Sequence, residues 1–279
     1  MKIALCNEVV ASGRDFAKQC ALAAQLGYDG LELAPFTLAD DPSTLGSREA
    51  QPLRDAAKAE GLVITSLHWL LVKPDGLSIT SADKAVHQRS MDMMRRMIDF
   101  AAALGASVLV HGSPAQRAVG PHQTPEDALT RATVAWAAAA EAASAAKVVY
   151  CLEPLPRDQT PLVNTIAEAA AVIARIGSPA LRTMLDTRAA SLAEKEPPAA
   201  LIERWWPSGL LAHVQLNDRN RRGPGQGSDT FAPVLAALRR IGYDSTVAVE
   251  PFDYVPDGPG CAARAIGYIR GILEAQSAP

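Results

Sequence analysis

The chain has 279 residues, 27 Lys and Arg against 30 Asp and Glu, a formal net charge of -3 and 48% hydrophobic residues. This composition belongs to an ordinary soluble globular protein rather than a basic nucleic-acid scaffold, and it supplies enough apolar surface for a large core. The length suits two small domains or one α/β barrel of about 250 residues.

The first ten residues, MKIALCNEVV, carry one lysine and a short apolar run broken by Asn7 and Glu8. They read as a strand over Lys2–Asn7 and not as a signal peptide or membrane span, so a cytoplasmic protein is expected. A helix over Ser12–Leu26 follows, then strand Gly30–Leu33 with helix Ser47–Glu60, and strand Leu62–Leu67 with helix Ser81–Leu104. The next pairs are Ser107–Val110 with Thr124–Ala146, Val148–Leu152 with Asn164–Ile176, and Arg182–Leu185 with Glu194–Trp206. Ala212–Leu216 with Thr230–Ile241 and Thr246–Val249 with Gly260–Glu274 complete eight units. Short aliphatic runs alternate throughout with Ala-rich segments of helical period, the pattern of βα units around a parallel sheet.

Gly27, Gly61, Gly105, Gly177 and Gly242 each follow a helical segment where a left-handed residue ends a helix. Thr124-Pro125-Glu126-Asp127 is a strong helix start, whereas Ser81-x-x-Lys84 is a weak one. Cys6, Cys20, Cys151 and Cys261 lie far apart with no CxxC pair, which points to reduced core thiols rather than disulfides or a zinc site. Eight units without a dividing linker predict a (β/α)8 TIM barrel, one domain over residues 1–279, with a doubly wound open sheet as the alternative. No GxGxxG follows the first strand, so a dinucleotide site has no support.

A barrel carries its chemistry at the C-terminal ends of its strands. Reading those ends in order gives Asn7 and Glu8, Glu32, His68, His111, Glu153, Asp186, His213 and Glu250, with His87 and His122 in a helix and a loop. Any one of these can be a helix cap or a satisfied core residue. Together, acidic or imidazole groups ending strands five to eight converge at one end, where unpaired charge is costly and a cation relieves it. Three carboxylates and one imidazole make an oxygen-rich site suited to Mn2+, Mg2+ or Co2+, with Zn2+ also admissible.

Leu152-Glu153-Pro154, Met184-Leu185-Asp186, His213-Val214-Gln215-Leu216-Asn217-Asp218, Pro224-Gly225-Gln226-Gly227 and Val249-Glu250-Pro251 carry a family resemblance. The chain resembles, over essentially its whole length, the xylose-isomerase-like barrels. These include sugar phosphate isomerases and epimerases, ketose 3-epimerases, inosose isomerases and dehydratases, hydroxypyruvate isomerases and apurinic endonucleases. The resemblance implies one divalent metal, Mn2+ foremost, held by Glu153, Asp186, His213 and Glu250, and a small carbohydrate as substrate. It implies that the metal polarises a ketone, that proton loss gives a metal-bound enediolate, and that Glu153 and Glu250 form the acid/base pair. Return of the proton to the same carbon makes an epimerase and to its neighbour an aldose–ketose isomerase; both stay open.

Arg219, six residues after His213, matches a substrate-binding arginine of ketose epimerases, and His68, Trp69, His111 and Gln159 complete the expected substrate-binding set. Ketose 3-epimerases carry a second glutamate six residues after the first ligand and a histidine three after the aspartate. This chain has Gln159 and Ala189 there, which argues against a free ketohexose as the substrate. The loop Trp69–Thr80 reads as a cover over the site, and Asn217–Ser228, with Arg219, Arg221 and Arg222, as a place for an anion or a sugar hydroxyl. Trp205 and Trp206 read as packing or interface residues.

Two rivals remain. A dehydratase uses the same enediolate and expels a hydroxyl, with His68 or His111 as the acid. A zinc nuclease matches His68 and His111 as further ligands, yet the chain lacks a histidine after Asp186 and an Asp-x-His pair beyond His213. Its net charge also gives no attraction to phosphate backbones. Neither a nucleic acid nor a membrane is expected as partner, and the resemblance implies a homodimer or higher homo-oligomer.

Overall fold

The computed structural model describes residues 1–277, and in it eight parallel strands hydrogen-bond in chain order and close on themselves. They are β1 (Lys2–Cys6), β2 (Gly30–Leu33), β3 (Val63–Leu67), β4 (Val108–His111), β5 (Val149–Leu152), β6 (Leu181–Asp186), β7 (Leu211–Leu216) and β8 (Thr246–Val249). The seam joins β1 to β8, with Lys2 beside Thr246 and Leu5 beside Val249. The closed sheet excludes the doubly wound alternative. Val108, Val110, Cys151 and Met184 form a small apolar cluster of their own, apart from the larger core between sheet and helices.

The alanine content of the helices has a packing reason. In α5 (Pro125–Ala146), Ala128, Ala132, Ala135, Ala139 and Ala143 are all buried, and this smooth stripe lets the helix approach the sheet while Trp136 supplies bulk. Gly27, Gly105 and Gly177 end α2 (Phe16–Leu26), α4 (Lys84–Leu104) and α6 (Ile166–Ile176) in the left-handed conformation, as expected. All four cysteines are free and buried. Among the described residues, no helix is long and apolar enough to cross a membrane.

Several boundaries differ from expectation, each for a local reason. The first helical segment is two helices, α1 (Glu8–Ala11) and α2, because Asp15 accepts from Lys18 N at 2.9 Å and restarts the chain there. Between β6 and α8 (Pro198–Trp205) lies an unexpected α7 (Thr187–Ala193), capped by Asp186 itself through Ala189 N at 2.6 Å. Glu194 therefore ends α7 instead of opening the next helix. The remaining helices are α3 (Ser47–Ala59), α9 (Ala232–Arg240) and α10 (Gly258–Ala275). The Trp69–Thr80 loop is not a free cover: Leu70, Leu71, Leu77 and Ile79 are buried, Ile79 N donates to Gln116 O at 2.9 Å, and Lys73, Asp75 and Gly76 alone are exposed.

The start of α4 is set by Asp83 and not by Ser81: the Asp83 carboxylate accepts from Ala85 N at 2.7 Å and Val86 N at 3.3 Å. Asp83→Ala is expected to cost about 1 kcal/mol of stability, and Ser81→Ala a few tenths at most. Thermal denaturation of the two variants checks the order; equal losses would place the cap elsewhere.

Candidate active site

Barrel closure brings the ends of β5, β6, β7 and β8 to one rim, and backbone bonds continuing the sheet hold the first residue past two strands. Glu153 N donates to His111 O at 3.3 Å and Glu250 N to Leu216 O at 3.1 Å. Asn217 fastens this rim from β7: its side chain donates to Glu250 O at 3.0 Å and accepts from Arg188 N at 3.0 Å. Glu153, Asp186 and Glu250 each thereby place a carboxylate oxygen within 4.8 Å of the others, and all three residues are buried.

Such crowding makes the charged forms costly. Burial, and then the Asp186 charge, push Glu153 up to about 8. Burial pushes Asp186 up to about 6 against the pull of its bonds from Ala189 N and Asn217. Glu250 is raised by burial and by Glu153 and Asp186, with His68 opposing. Glu32 shows the contrary case beneath the rim. Burial pushes it up, but His213, His68 and a short hydrogen bond from the Ser66 hydroxyl overcome that and hold it well below the usual carboxylate range.

His213, the fourth expected ligand, stands outside the three-carboxylate group. Its Nε2 lies 2.7 Å from Glu32 Oε2 but makes no well-directed hydrogen bond, and it is buried without a partner. Asp186 Oδ2 and Glu250 Oε2 are likewise buried and unpartnered. Orphaned buried acceptors are rare because each forfeits its hydration. Two of them, at the ends of β6 and β8 beside Glu153, fit a divalent cation with oxygen ligands, and His213, inside β7, could join them only by turning from Glu32.

A cavity of about 360 Å³ opens above these groups. Glu153, Glu250, His68, Trp69 and Gln159 line it, together with Phe252, Arg188 and Arg221. Trp69 sits at φ 53° and meets Phe252 edge to face at 6.2 Å, an apolar wall held in a backbone conformation that side-chain residues seldom adopt.

Three expected substrate contacts are placed otherwise. His68 reaches the cavity, but Nδ1 lies 2.9 Å from Glu250 Oε1 and Nε2 3.1 Å from Glu8 Oε2, so neither nitrogen is left for a substrate. His111 is fully enclosed, with Nδ1 2.7 Å from the Tyr150 hydroxyl and Nε2 buried without a partner, it does not line the cavity, and burial and Arg117 push it down to about 3, which keeps it neutral. Arg219 turns from the cavity to Asp229, with Nε 2.6 Å from Oδ1, and Arg221, at φ 74°, faces inward in its stead. Asn7 is structural too, its amide spent on Ala34 N, Gln19 and Thr37. In Pro224-Gly225-Gln226-Gly227, Gln226 donates to Cys261 O at 3.0 Å and docks the loop on α10.

Sequence reasoning missed Arg188, at the start of the unforeseen α7, and Arg117. Arg117 is completely buried and donates to Glu153 O at 2.7 Å, which fixes the chain where the glutamate leaves β5. Nothing in Pro114-Ala115-Gln116-Arg117 marks it, since a loop arginine is ordinarily solvated.

A profile of the family described as xylose isomerase-like TIM barrel matches residues 20–272. The chain is 27% identical over 242 residues to a D-psicose 3-epimerase of Enterocloster bolteae, covering 85% of this chain and 77% of that one. It is 27% identical over 255 residues to a ketose 3-epimerase of Arthrobacter globiformis, covering 90% and 84%. A solved structure of L-ribulose 3-epimerase matches with a TM-score of 0.81 at 25% identity, over 98% of this chain and 95% of that one.

Two outcomes follow from the crowding. The folded site keeps protons on Glu153 and Asp186 at pH values where the unfolded chain, with ordinary carboxylates near 4, has released them. Metal-free stability therefore falls as pH rises from about 4 through about 8, and saturating Mn2+ raises the melting temperature more at pH 8 than at pH 6. Melting curves in chelator that stay flat across this range would contradict the assignment. At Gly112, a Cβ would stand 2.0 Å from Glu153 Oε2. Gly112→Ala is expected to displace that carboxylate and weaken metal binding about 10- to 100-fold with the circular dichroism unchanged.

Proposed function

The chain belongs to the xylose isomerase-like TIM barrel family, and from that premise we propose that it is a divalent-metal-dependent isomerase or epimerase of a keto sugar or related polyhydroxy carbonyl compound. The observation that carries this reading is the convergence of Glu153, Asp186 and Glu250 under a cavity, with unpartnered buried atoms on Asp186, His213 and Glu250. Glu153, Asp186, His213 and Glu250 would hold the ion, with Mn2+ foremost. When bound, the cation supplies positive charge beside the carbonyl oxygen and acidifies the neighbouring C–H.

The chain's own residues do the rest. Glu153 and Glu250 rise from β5 and β8, on different parts of the barrel rim, and so address a bound sugar from different sides. One takes the proton and the other returns it to the opposite face; return to the adjacent carbon isomerises instead. Trp69 and Phe252 exclude water from one wall, while Gln159, Arg188 and Arg221 offer donors to the sugar oxygens. A dehydratase needs an acid beside its leaving hydroxyl, and His111 is enclosed while both nitrogens of His68 are engaged.

Mn2+-loaded protein is expected to exchange the C–H beside the carbonyl for deuterium in a panel of keto sugars and their phosphates in D2O. Glu153→Gln and Glu250→Gln should each slow this by about 10²- to 10⁴-fold. Proton NMR checks it; a deoxy-diketo product would make the protein a dehydratase, and silence across the panel would remove the reading.

A further inference from the structure

Neither the cation nor the substrate accounts for Glu8. It opens α1 just beyond β1, its side chain is 12% exposed, and it does not line the cavity. Its Oε2 meets His68 Nε2 at 3.1 Å, and the far side of the same ring, Nδ1, meets Glu250 Oε1 at 2.9 Å. The imidazole, at the end of β3 with its side chain 2% exposed, thus bridges two carboxylates from opposite sides of the seam. A ring carrying one N–H can donate to only one of them, while a ring carrying two donates to both. The two contacts together fix the plane of the ring between the carboxylates. The contact also divides the labour of Glu250: Oε1 is tied to His68, and Oε2 is buried and unpartnered.

We propose that Glu8 is a positioning residue for Glu250, acting through His68: it holds one nitrogen of the imidazole, the other nitrogen fixes Glu250 Oε1, and Oε2 is thereby kept turned toward the place where cation and substrate meet. This rests on the reading of Glu250 as one of the two acid/base groups. The same orienting logic operates wherever a carboxylate behind a histidine sets the ring's hydrogen bonds. It gives the Glu8 carboxylate, otherwise placed against Cys6, His68 and Glu250 with one oxygen unpartnered, a task in the reaction.

The test uses Mn2+-loaded enzyme, wild type against Glu8→Gln and Glu8→Ala, in D2O with the keto sugar or sugar phosphate of the panel above that wild type exchanges fastest, and with its epimer at the exchanging carbon. In Glu8→Ala, kcat is expected to fall about 10- to 100-fold, with KM and metal content changed no more than about twofold. Glu8→Gln, which keeps an acceptor oxygen, should lose less. Because Glu250 serves one face of the carbon, deuterium enters one epimer more slowly than the other, a selectivity that general loosening of the fold does not produce. Equal slowing of both epimers, wild-type kcat in Glu8→Ala, or a second metal ion that Glu8→Ala alone removes would overturn the proposal. Histidine labelled with 15N in Mg2+-loaded protein gives a readout without turnover: the His68 Nε2 resonance, hydrogen-bonded to Glu8 in the wild type, is expected to shift in Glu8→Ala. An unchanged spectrum overturns the proposal whichever sugar is used. Full activity in Glu250→Gln would remove the acid/base reading itself, whereas an inactive Glu250→Gln beside a fully active Glu8→Ala removes the role of Glu8 alone.

Discussion

Three buried carboxylates at the end of one barrel repel one another, and the surrounding structure is organised to bear that repulsion. Burial raises the proton affinity of Glu153, Asp186 and Glu250, pushing Glu153 up to about 8 and Asp186 to about 6 in the metal-free site. The chain sets cations against them at fixed places: His68 on Glu250, and Arg117 on the backbone of Glu153. Asp186 is steadied differently, by the amide of Ala189 at the start of α7, whose helix N-terminus favours negative charge. These supports hold the carboxylates in place without neutralising them, which leaves the balance that the proposed divalent ion would complete.

The barrel explains why such a cluster can exist without disturbing the fold. Parallel strands closed into a ring place their C-terminal ends together, so residues more than a hundred positions apart in sequence meet at one rim. Below the rim the interior becomes apolar at Val108, Val110, Cys151 and Met184. Between the two lies a polar tier in which Glu32 accepts from Gln215, Ser66 and Cys6 and faces His213. This tier orients the histidine of β7 and separates the strained charges above from the core that stabilises the sheet.

Much of this was legible in the sequence, because a repeating pattern and strand-end chemistry are both local signals. The alternation of aliphatic runs and alanine-rich helices requires only periodicity, and the residue closing each strand follows from it. The rest depended on direction. Spacing can propose an arginine in the loop after β7, but it does not say that Arg221 adopts a left-handed conformation and enters the cavity while Arg219 pairs with Asp229. Nor does it show that His111 is spent on Tyr150, or that a loop arginine at 117 is completely enclosed. The short α7 was invisible because Asp186 serves as both strand end and helix cap, and seven residues carry too little periodicity to register.

The central claim is that four residues from four adjacent strands hold a single cation. Its most direct test is elemental analysis of protein loaded with a mixture of Mn2+, Mg2+, Co2+ and Zn2+, beside an Asp186→Asn variant. One ion per chain, with most of it lost in the variant, is the predicted result. No bound ion, two or three zinc ions per chain, or full occupancy in Asp186→Asn would contradict it.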